Sequence, residues 1–190
     1  MQNENDYGYT GLHAFVFIDR VAHGDTPRNV VARLRELGGP PTGPVFFAAE
    51  VVGKYLAFAH LRVEEEDDLA GLLDLISGEL WERGVHCSYC IEGDVYRHPI
   101  TTMVSGTKRS TPEIIALVSI VVERGRVHEV LERLGEVAGF KGASVVSGDF
   151  DILLQLGGDT LSDVLGNAMT DLQGVEGVVH TSTAFADGTR

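Results

Sequence analysis

The sequence predicts an α+β protein made of two βαββαβ units that pair through their sheets, a pseudo-dimer within one chain. Three observations predict it. The same order of strand-like and helical patterns occurs twice. Each half leaves an apolar sheet face that its own helices do not cover, and such a face needs a partner. Between the halves runs a stretch rich in Ser, Thr, Gly and Pro with no periodicity, which reads as a linker.

The first half opens with the apolar run Ala14–Ile18, of strand length and composition. A helix follows, with Thr26 as its cap and Pro27 at its first position. Val30, Val31, Leu34 and Leu37 keep helical spacing, and Gly38-Gly39-Pro40 ends the pattern. Two strand-like runs, Val45–Val52 and Tyr55–Val63, flank a Gly53-Lys54 turn. A second helix begins near Asp67 and carries Leu69, Leu72, Leu73, Ile76 and Leu80, and a last strand runs from Val85 to Ile91.

The second half repeats the order. Ile114–Val122 reads as its first strand, and Val127, Val130, Leu131, Leu134 and Val137 mark its first helix, stopped by Gly139. Strands Ala143–Val146 and Phe150–Leu156 flank Ser147-Gly148-Asp149. Thr160 caps a helix whose apolar face is Leu161, Val164, Leu165, Met169 and Leu172, and Val178–Phe185 closes the unit. The order is ferredoxin-like, with both helices on one sheet face. Alternation puts Phe150, Ile152 and Leu154 on one side of their strand, on the bare face that the other unit would cover. The expected division is a tail at 1–10, a first unit at 11–97, a linker at 98–112 and a second unit at 113–187.

A formal net charge of −13, with 15 basic residues among 28 acidic ones, disfavours nucleic-acid binding, which needs clustered cations against phosphate. No apolar run reaches the roughly 20 residues a membrane helix requires, and the polar start lacks the pattern of a secretory signal. With two cysteines and no such signal, a reducing cytoplasm is the expectation.

The second half resembles the effector-binding domain of the Lrp/AsnC family, the feast/famine regulators that sense amino acids. The resemblance rests on an ordered set: an apolar first strand, the helix Arg126-Val127-His128-Glu129-Val130-Leu131, and Ser147-Gly148-Asp149-Phe150-Asp151, which matches the family's glycine–aspartate–aromatic–aspartate hairpin. Gly174-Val175-Glu176-Gly177-Val178, leading into Thr181-Ser182-Thr183, completes it. The first half fits more loosely. Gly53-Lys54-Tyr55-Leu56 keeps the glycine and an aromatic residue but loses both aspartates. Members of the family carry a helix-turn-helix ahead of this domain, whereas only Met1–Thr10 precede the first strand here, so no DNA-reading head is expected.

The resemblance implies a ligand site at the hairpin, built from Ser147, Gly148, Asp149, Phe150 and Asp151. A glycine turn can offer N–H groups to a carboxylate, and the two aspartates can receive an ammonium. Thr181 and Thr183 are secondary candidates. The competing reading is a tight turn with ordinary β-branched strand residues nearby. Cys87 and Cys90 lie three apart on a predicted strand, so their thiols diverge, and no second pair completes a metal site; they read as buried structural cysteines. The seven histidines show no ligand spacing, although His60 and His180 fall on predicted strands that could line a pocket.

The expected function is therefore a stand-alone, non-catalytic sensor of an amino-acid-type effector. It would act in transcriptional or metabolic regulation through a partner protein, as a homo-oligomer, without cofactor, metal or membrane. The alternatives are an enzyme of the dimeric α/β-barrel type, using a cavity between helices and sheet, and an assembly module with no ligand.

Overall fold

A computed structural model describes residues 12–37, 43–82, 84–96, 114–166 and 170–187. The expected tail, the linker and Met169 lie outside them. The first unit contains β1 (Leu12–Arg20), α1 (Pro27–Glu36), β2 (Val45–Gly53), β3 (Ala57–Val63), α2 (Glu66–Glu82) and β4 (His86–Tyr96). The second contains β5 (Ile114–Val122), α3 (Val127–Leu134), β6 (Phe140–Ser147), β7 (Ile152–Gly158), α4 (Leu161–Gly166) and β8 (Val178–Asp187), with a 3-10 turn at Leu172–Gly174.

The strands form one closed antiparallel barrel in the order β1-β3-β2-β8-β5-β7-β6-β4. Each unit contributes a four-stranded ferredoxin-like sheet, and the sheets join edge to edge. Val51, Val52 and Gly53 of β2 pair with Ala186, Phe185 and Ala184 of β8. Across the barrel, Ile91 to Tyr96 of β4 pair with Ser147 to Ala143 of β6. Closure removes every free sheet edge and turns the two bare faces into a common lumen.

Alternation along each strand sorts side chains between lumen and helices. Ala14, Val16 and Ile18 pack with Val30, Leu34 and Ile76 under the first unit's helices. Phe15 and Phe17 point the other way, into a cluster with Tyr55, Phe58, Phe150 and Leu153 drawn from both units. Phe17 lies 4.7 Å from Tyr55 and 5.4 Å from Phe150 between ring centroids, so the two hairpins plug one end of the barrel together.

Two expectations are corrected. Ile152 and Leu154 face the second unit's helices rather than the bare face. Phe150 reaches the lumen because it sits in the bend before β7, outside the alternation, and Leu153 is the strand residue that joins it there. The helix face expected from Thr160 does not extend to Leu172. Thr160 and Asp163 cap the start of α4 reciprocally at 3.1 Å, and buried Leu172 belongs to the 3-10 turn.

Candidate functional site

The two hairpins are built alike. Leu56 N–H donates to Ile18 O and Val51 N–H to Leu56 O, and Asp151 and Val146 repeat these bonds with Ile120 and Asp151. Ser147, Gly148 and Asp149 are exposed, whereas Phe150 is buried in the lumen cluster. The Asp151 carboxylate accepts the Val122 N–H at 2.8 Å and so ties the hairpin to the end of β5. Thr181 pairs with Ile120 and Thr183 with Val118, on the opposite side of β5 from the hairpin. Strand β5 therefore separates the two groups of expected ligand residues.

Cys87 is half-buried against the first unit's core, and burial, with Asp19 nearby, pushes its thiol up. The Cys90 side chain lies outside the described residues. Among the described residues, no group of three or more His, Cys, Asp and Glu is placed to hold a metal ion.

The lumen carries buried polar side chains that the sequence did not single out together. His13, His60, Ser119, Ser144 and Gln155 are each at most 6% exposed. His13 Nδ1 lies 2.7 Å from His60 Nε2, so one ring donates and the other accepts. Burial, with Arg62 nearby, holds the His13 pKa down to about 4; burial, then His13 and Arg62, holds His60 to about 3. The pair is neutral at pH 7.

A cleft lies elsewhere, on the outer face where the two units meet. It has a volume of about 460 Å³, and α1, β2 and β8 line it. Arg28, Val31, Ala32 and Arg35 fall at i, i+3, i+4 and i+7, which is one face of α1. Opposite them stand Glu50 and Val52 of β2 and Phe185 of β8. Val52 pairs with Phe185 across the seam, so the floor is complete only when both units are present.

The arginines of α1 differ in what they already hold. Arg33 is engaged by Asp25, whose carboxyl this bond holds below its ordinary range. Arg35 Nη2 donates to Ala48 O at 2.7 Å, which leaves the rest of its guanidinium fork available. Arg28 is exposed, with no partner among the described residues. It also stands in the first turn of α1, which holds no acid. The helix dipole disfavours a cation there, so Arg28 occupies a place that local stability does not explain. Val52, 77% exposed, is likewise an apolar side chain left open beside the cleft.

Sequence reading missed these residues because it counted only the buried stripe of α1. The available signal was Arg28 and Arg35, seven residues apart beside the buried stripe, in a strongly acidic chain. Phe185 could be assigned only once the pairing of β8 with β2 was known.

No protein-family model matches the chain, and no curated protein matches it. Solved structures do. The siroheme decarboxylase NirDL superposes with a TM-score of 0.66 at 12% identity, over 94% of this chain and 71% of its own. Chlorite dismutase from Candidatus Nitrospira defluvii superposes with a TM-score of 0.54 at 14% identity, over 93% and 91%. FFRP-DM1 is 29% identical but overlaps only 38% of this chain, with a TM-score of 0.37, and carries no argument.

The long matches establish the dimeric α/β-barrel fold. They also correct the expected function. The proteins that match nearly the whole chain are enzymes by name, so a non-catalytic amino-acid sensor in transcription regulation loses its support. Likeness to the Lrp/AsnC effector domain reduces to the shared ferredoxin-like unit. No helix among the described residues is long and apolar enough to cross a membrane.

Proposed function

We propose that the chain is an enzyme of the dimeric α/β-barrel class that acts on an organic anion in the cleft between α1 and the β2–β8 seam. The observation that carries the reading is Arg28, a cation without partner among the described residues, at a helix position where the dipole disfavours it and beside an apolar floor. In this reading Arg28 and Arg35 bind the acidic group by charge-assisted hydrogen bonds. Val31, Val52 and Phe185 contact its apolar part and exclude water. Glu50, the carboxylate among the lining residues, exchanges a proton with the bound ligand.

The NirDL neighbour is named as a siroheme decarboxylase and has been solved with an iron-uroporphyrin III analogue, which makes tetrapyrrole carboxylates the first ligands to try. The cleft does not fit a haem held through its iron. Among the described residues no imidazole, thiolate or phenol lines it, so a macrocycle here would be held through its acid groups. The likeness of 113–187 to the Lrp/AsnC effector domain is, in this reading, kinship of build and not of activity.

The test is a thermal-shift screen of carboxylated compounds on the parent and on Arg28→Gln, followed by product analysis. A ligand at a hundred times its dissociation constant adds about 2.7 kcal/mol of stability. The expected result is a carboxylated ligand that stabilises the parent, stabilises Arg28→Gln less, and is converted by the parent but not by Glu50→Gln. A ligand bound equally by Arg28→Gln, or bound and never converted, would overturn the reading.

A further inference from the structure

We propose that the ligand of the seam cleft carries two acidic groups at opposite ends of a flat apolar body, one met by Arg28 and the other by Arg35. The inference rests on the reading of this cleft as the ligand site and adds the shape and valence of what binds there.

Arg28 and Arg35 are two helical turns apart on one face of α1, about 10 Å along the axis at 1.5 Å per residue. A single carboxylate cannot satisfy both forks at that separation, because a bidentate pair needs its two oxygens on one guanidinium. Between the arginines the helix presents Val31 and Ala32, with no polar group to hold the middle of a ligand. Val52 and Phe185 face that strip from the strands, paired with each other across the seam. The cleft is thus cationic at both ends of its helix wall and apolar between them. Glu50, which also lines the cleft, disfavours a third carboxylate there.

The two anchors are unequal, and this makes the proposal testable. Arg35 keeps its bond to Ala48 O and has structural work to do. Arg28 has no partner among the described residues and opposes the helix dipole, so its removal leaves folding intact or slightly improved. A loss of binding in Arg28→Gln therefore reports on the ligand and not on the fold.

The experiment compares biphenyl-4,4′-dicarboxylate with biphenyl-4-carboxylate by calorimetry at low salt, on the full chain and on Arg28→Gln, with thermal denaturation of both proteins alongside. The two probes share one rigid apolar body and differ only in the second acid, which stands about as far from the first as the arginines do from each other. The dicarboxylate is expected to bind the parent about tenfold tighter than the monocarboxylate, the scale of one added charge-assisted bond. Arg28→Gln should bind both probes equally, with a Tm no lower than the parent's. A dicarboxylate that binds the parent no tighter than the monocarboxylate would overturn the two-ended ligand while leaving an anion site in place. Failure of both probes to bind, or binding of both that ignores Arg28→Gln, would overturn the site itself and this inference with it.

Discussion

At the scale of single residues, the histidine pair in the lumen makes stability depend on pH. The unfolded chain takes up protons on His13 and His60 near pH 6.5, whereas the folded pair resists until about 4 and about 3. Both folded pKa values are depressed, so their stabilising effect is complete above 6.5 and is lost as pH falls toward those values. Each histidine so held costs about 1.4 kcal/mol per pH unit within its window. Urea midpoints should therefore drop between pH 6.5 and 4 and change little from these groups above 6.5. Replacing His60 by Gln, the residue at the matching place in the second unit (Gln155), together with His13→Asn, should flatten that drop. Histidine signals of the pair that titrate near pH 6.5 would contradict the account. Asp151 belongs to the same scale. Its bond to the Val122 N–H predicts that Asp151→Ala loses about 1.5 kcal/mol in chemical denaturation, whether or not any ligand is present.

Between elements, the β2–β8 seam depends on how closely Gly53 approaches the facing strand. A Cβ there would meet Thr183 O at 2.3 Å and Ala184 Cα at 3.0 Å, both backbone atoms that cannot swing aside. Gly53→Ala should cost more than about 2 kcal/mol and should weaken the cleft, whose floor is the next residue pair. Gly24 is the control, since it also has a positive φ of 88° but nothing within 4 Å of its Cβ direction. Gly24→Ala should cost only about 1 kcal/mol, the strain of the left-handed backbone. Equal losses at the two positions would refute the close approach. The same seam marks the limit of what sequence reading can reach. Period-two and period-3.6 patterns located the strands and helices because each has one buried face, and Thr26, Pro27 and Thr160 announced helix starts through their own backbone chemistry. The joining of β2 to β8 leaves no such trace, since edge pairing is made by backbone groups common to every residue. Phe185 therefore looked like the end of an ordinary strand, and nothing marked Arg28. The hairpin at 147–151 was conspicuous in sequence because glycine and aspartate are turn residues, and its bonds to Val122 and Ile120 serve that turn.

For the whole molecule, three cores share the work. One lies under the helices of each unit, and the third fills the lumen with side chains from both. Neither unit can bury its lumen face alone, so the chain should unfold in one cooperative step. Phe17, which touches Tyr55, Phe58 and Phe150, is the place to test this. Phe17→Ala should lose about 3–5 kcal/mol, with circular dichroism and amide signals of both units melting together. Separate transitions would show that the units are independent. An organic-anion site made by the pairing of two ferredoxin-like units, on the outer face of their seam, can be mapped by an amide chemical-shift titration of the isotope-labelled chain with biphenyl-4,4′-dicarboxylate. The expected result is saturable shifts that cluster at 28–35 of α1, at 49–52 of β2 and at Phe185, elements from both units. Shifts confined to the 147–151 hairpin, or none at α1, would rule out the seam as the site.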